Sequence, residues 1–142
     1  MAWWDKAGLG IRLARPAQIY LGATTPMFTA VGDIFLTSIA GEVVAFAIAA
    51  GLNNCSIDTT GGTFIATAVD IDGDLVGQRY SVATAGGALD VGGPPVPCLT
   101  QPILIPDGET IDCTCGATTS TGTILWVIHY QPAEDGAYVT LA

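Results

Sequence analysis

The sequence predicts an all-β fold: a single antiparallel β-barrel or β-sandwich domain, of jelly-roll or tulip-like type, with an extended N-terminal arm. Three observations predict it. Short apolar runs alternate with turn residues at intervals of roughly ten to twelve positions, the spacing of sandwiches and barrels. Eighteen Gly and eight Pro punctuate the 142 residues, while Glu and Lys, strong helix formers, are scarce beside Val, Ile and Thr. No amphipathic segment of helical length separates the runs, which argues against βαβ units and helical bundles. A chain of this length buries about two-thirds of its unfolded surface, enough for one core.

Residues 1–25 read as the arm: Trp3, Trp4, Lys6, Arg12, Arg15 and Pro16 sit among glycines without a sustained period of 2 or 3.6. The β domain is expected over 26–142. Its candidate strands are Met27 to Val31, Ile34 to Ala40, Glu42 to Ala50, Cys55 to Thr59, Thr63 to Ile71, Leu75 to Ala83, Pro102 to Ile105, Thr110 to Cys115, Thr123 to Tyr130 and Ala137 to Leu141. Asp72-Gly73 between two of these runs is a hairpin signal, because Gly accepts positive φ. The stretch 41–51 has a helical alternative, since it is Ala-rich and Gly51 would suit a C-cap; Val43, Val44 and Ile48 favour a strand. Thr123 to Tyr130 carries apolar groups on both faces, as expected of a central strand or one lying against another subunit. Thr84 to Pro97, rich in Gly and Pro, reads as a long loop.

Charge excludes several function classes. The net charge is −9, and all bases but one, Arg79, lie in the first fifteen residues, leaving twelve acids in the remainder. Such a body is repelled by phosphate, and the arm holds too few cations for nucleic-acid binding. No secretory signal is readable at the N-terminus. The longest apolar stretch, Val43 to Leu52, is about half of what a membrane span requires. Neither nucleic acid nor membrane is an expected partner.

Four cysteines, Cys55, Cys98, Cys113 and Cys115, are expected as free thiols, with disulfides as the alternative. In a strand, Cys113 and Cys115 would share a face. The C-x-C spacing and the isolation of Cys55, Cys98 and His129 nevertheless depart from familiar zinc spacings, so no metal or other cofactor is expected. Asp70, Asp72 and Asp74 lack the order of an EF-hand loop and read as a solvated turn. His129 is the only histidine and lies within a strand-like run, a poor place for a nucleophile's base. Asp107, Glu109, Glu134 and Asp135 sit beside Gly and Pro as turn acids. No catalytic residue is expected.

Trp3 and Trp4 each carry a large ring close to the N-terminus. Trp3, Trp4, Lys6, Arg12 and Arg15 are therefore candidate interface residues, Trp and Arg being the commonest hot-spot types. The alternative is docking of the arm on the chain's own domain.

Val31-Gly32-Asp33-Ile34-Phe35, the Asn53 to Asp58 region, Val69 to Gly73 and the closing Ile124 to Pro132 with Asp135-Gly136-Ala137 resemble small β-rich virion proteins of tailed bacteriophages. The resemblance spans roughly residues 30–140. It implies a non-enzymatic capsid decoration (cement) protein, often a homotrimer, made in the host cytoplasm and sitting on the outer capsid surface, with the major capsid protein and further copies of itself as partners. A tail or head-fibre component is one alternative. A carbohydrate- or host-surface-binding β module, with Trp126, Tyr80 or Tyr138 stacking on sugars, is another.

Overall fold

The computed structural model describes residues 10–20, 24–48, 54–91, 99–116 and 121–142. The described residues form twelve strands and no helix: β1 (Ile11–Gln18), β2 (Thr24–Val31), β3 (Ile34–Ala45), β4 (Asn54–Thr59), β5 (Phe64–Asp70), β6 (Arg79–Ser81), β7 (Gly87–Ala88), β8 (Asp90–Val91), β9 (Ile103–Ile105), β10 (Thr110–Cys115), β11 (Thr123–Pro132) and β12 (Tyr138–Leu141).

They build two sheets, and no closed barrel forms among the described residues. Sheet A runs β1-β11-β3-β6-β8, with β9 sharing the β3 edge; sheet B runs β12-β2-β10-β4-β5-β7. All pairings are antiparallel except β5 with β7. The core between the sheets follows from alternation along each strand. Ile124, Trp126, Ile128 and Tyr130 of β11 point inward with Ile34, Leu36, Ile39 and Val43 of β3, facing Phe28, Ile57, Ile65 and Ile111 of sheet B.

Several sequence expectations need correction. The segment expected as an arm is partly sheet: Ile11 to Gln18 pairs with β11, from Ile11 opposite Tyr130 to Gln18 opposite Ile124, with an irregularity after Arg15. Pro16 is tolerated there because β1 is an edge strand. The runs from Ile34 and Glu42 fuse into the single strand β3, which settles 42–45 as strand; residues 49–53 lie outside the described set. The loop expected over 84–97 contains the short strands β7 and β8, and its remainder from 92 is not described.

The hairpin at Asp72-Gly73 does not form. β5 belongs to sheet B and β6 to sheet A. The turn itself is real: the Asp74 amide donates to the Ile71 carbonyl at 3.2 Å, and Gly73 has φ +74°. Asp72, however, does not have positive φ, whereas the type I′ turn that closes a two-residue hairpin needs it at both central positions. A second turn, with the Gln78 amide on the Leu75 carbonyl, then carries the chain across to the other sheet.

Candidate interaction surface and thiol cluster

The outward face of sheet A is assembled from alternate residues of four strands. Val127 lies opposite Ala14 on one side and Ala40 on the other; Leu125 lies opposite Glu42, His129 opposite Arg12 and Ser38, and Phe35 opposite Leu104 and Gln131. The small side chains at its centre leave a shallow depression of about 200 Å³ bordered by Leu125, Val127, Ala40, Glu42 and Arg79. Phe35 and Leu104 stand exposed farther along the same face, level with Gln131 of β11. The result is an apolar patch framed by charge, the usual make-up of an association surface.

Beyond the end of β3 a second apolar feature appears. Phe46 is the one described non-glycine residue in the left-handed region, φ +59°, and its ring is 76% exposed. It lines an open hollow with Ile19 and Ala47 on one side and Thr121 to Thr123 on the other. An aromatic ring exposed from a strained backbone serves no purpose in the core, and such strain clusters at functional positions.

The candidate interface residues of the sequence separate here. Trp3, Trp4 and Lys6 lie outside the described residues. Arg12 is exposed on the outer face, in register with His129. Arg15 does not serve as a free anchor: its guanidinium donates at 2.8 Å to the Met27 carbonyl and at 2.8 Å to the main-chain oxygen of Ala142, and its Nε donates to Gln18 at 3.1 Å. It faces inward from the edge of sheet A and clips that edge to sheet B.

The acids take local roles. The Asp72 amide donates to the Asp70 carboxylate, and the Asp74 carboxylate accepts the Tyr80 hydroxyl at 2.7 Å, so these three do not converge on a cation. At one end of the sandwich, Asp107 accepts from the Gly32 amide, Asp33 from the Asp107 amide and Glu134 from the Asp33 amide, all at 2.8–2.9 Å. Gly32 and Asp33 of the Gly-Asp-Ile-Phe segment behind the virion-protein resemblance thus lock turns, and the Ala137 amide of Asp-Gly-Ala closes its own turn on the Glu134 carbonyl at 3.3 Å. Trp126 and Tyr80 flank Gly41 across adjacent strands and are fully buried, so neither forms a sugar platform; Tyr138 alone of the three is exposed. His129 is held below its usual pKa by burial and by the Arg12 charge. It is therefore neutral near pH 7, and its buried Nδ1 has no hydrogen-bond partner.

The thiols converge. Cys55 of β4 lies directly opposite Cys115 of β10, with Cys113 two residues along on the same face. Their sulfurs all lie within 4.8 Å of one another, Cys55 to Cys113 at 3.5 Å and Cys113 to Cys115 at 3.9 Å, and all three are buried and free. Hydrogen bonding to Cys115 and Cys55, with burial, pushes the Cys113 thiol up. Hydrogen bonding with Cys113 lowers the Cys55 thiol, but Cys115 and burial outweigh it. The thiols of Cys113 and Cys55 both favour ionisation of Cys115, drawing it down to about 4. Cys98 lies outside the described residues. The shared face of Cys113 and Cys115 was legible from alternation; the arrival of Cys55 depended on a strand register that no local pattern encodes.

No family model, no curated protein and no solved structure matches this chain.

Proposed function

We propose that this protein is a phage capsid decoration (cement) protein that binds and stabilises the assembled major capsid protein lattice, assembling as a homotrimer through the outer face of sheet A. The observation that carries the proposal is that apolar face, with Ala14, Leu125, Val127, Ala40, Phe35 and Leu104 outward on an acidic domain. The resemblance of the turn-locking segments to virion proteins supports it. A partner that binds the assembled shell and not its dissociated subunits raises shell stability by mass action. Phe46 and Arg12 add an aromatic and a cationic contact of hot-spot type.

The test is the copy number of this chain relative to the major capsid protein in purified particles, by quantitative mass spectrometry. A ratio near one to one supports decoration of the whole lattice. A ratio of a few per cent moves the chain to the tail or head fibre, and absence from the particle removes the proposal. Val127→Glu places a charge at the centre of the face without disturbing the core, and is expected to convert a trimeric mass in light scattering to a monomeric one.

A further inference from the structure

We propose that Cys55, Cys113 and Cys115 form a binding site for one thiophilic d¹⁰ cation of the zinc class. The proposal rests on the side chains of the inner face of sheet B and is independent of the chain's place in a particle.

Distance is the first argument. Three thiolates bound at about 2.3 Å to a common tetrahedral ion stand about 3.8 Å apart. Here two of the separations are 3.5 and 3.9 Å, and all three sulfurs fall within 4.8 Å of one another. The spacing is fixed by backbone, because β4 and β10 are neighbours in one sheet, with Cys55 opposite Cys115. Thiols acting only as small apolar filler would have no need to converge on one point.

The ligand set selects the metal. Among the described residues the cluster contains sulfur alone, with no carboxylate or imidazole, which favours zinc-class ions over magnesium or calcium. Each metal–sulfur bond forms at a thiolate, any thiol proton still held passing to solvent, and no electron is transferred. Access is short: Cys55 follows the first residue of β4 and Cys115 ends β10, next to exposed Asn54 and Gly116, which are joined by a 3.0 Å amide–carbonyl bond.

The probe is Cd²⁺ added to the purified full chain kept reduced by a phosphine, with thiolate-to-cadmium charge transfer followed in the ultraviolet. The expected result is a band saturating at one equivalent. Cys113→Ser is expected to abolish it. Added Zn²⁺ is expected to raise the melting temperature of the wild type and not of Cys113→Ser. Far-UV circular dichroism establishes that the variant is folded, and Cys115→Ser replaces it if it is not. Absence of the band in the reduced wild type would overturn the site, as would an unchanged band in a folded Cys113→Ser.

Discussion

Gly41 shows what a single missing side chain does in this core. Its neighbours across β11 and β6 are Trp126 and Tyr80, whose rings stack at 6.1 Å between centroids, and a Cβ at position 41 would sit 2.8 Å from the indole ring. Gly41→Ala is expected to destabilise the fold by about 1–3 kcal/mol through overpacking, read as a lowered urea midpoint and an altered near-UV circular dichroism spectrum. Phe46 calls for the opposite result. Phe46→Gly removes the cost of a left-handed non-glycine residue, of order 1 kcal/mol, so the monomer should melt slightly higher while self-association weakens. A residue needed only for folding would not separate the two readouts. Asp58 faces Asp112 across β4 and β10, and burial together with that neighbouring carboxylate holds its pKa above the ordinary value. The folded chain therefore holds the Asp58 proton more tightly than the unfolded chain does. The stability this gives is complete below the unfolded carboxylate range and is lost as pH rises through the raised folded value. Asp58→Asn should raise the melting temperature at pH 7, with the gain vanishing near pH 3.

Among the elements, the edge strand β1 depends most on one side chain. Arg15 joins it to Met27 and Ala142 on the opposite sheet, and charge-assisted bonds of this kind contribute about 1.5–3 kcal/mol. Arg15→Ala should cost stability on that scale and speed hydrogen exchange in Ile11 to Gln18 more than in β3. Most strands were legible in the sequence because alternation and turn residues are local: β10 matches its expected bounds, and β4, β5 and β11 are displaced by one or two residues. β1 was not, because Arg15 takes the inward position two residues after Leu13 and Pro16 follows it, which breaks the apolar period. Asp72-Gly73 marked a turn correctly, but which strands a turn joins depends on the φ of both central residues and on the sheet each strand enters. The thiol cluster was half legible for the same reason: alternation put Cys113 beside Cys115, and only long-range register brought Cys55.

At the scale of the whole molecule, the chain changes sheets between every pair of successive described strands except β4 to β5 and β8 to β9. Neither sheet is a contiguous stretch of sequence. Excising one sheet as a fragment should yield an unfolded peptide, with no dispersed amide spectrum, whereas full-length protein folds in a single cooperative transition. β11 enters between β1 and β3, so residue 11 meets residue 130, and pairing of such distant segments is slow. During synthesis, sheet A therefore stays open until β11 has left the ribosome. Val127 comes into line with Ala14 and Ala40 only when β11 enters, so a nascent chain that has not yet reached β11 lacks the outward apolar face.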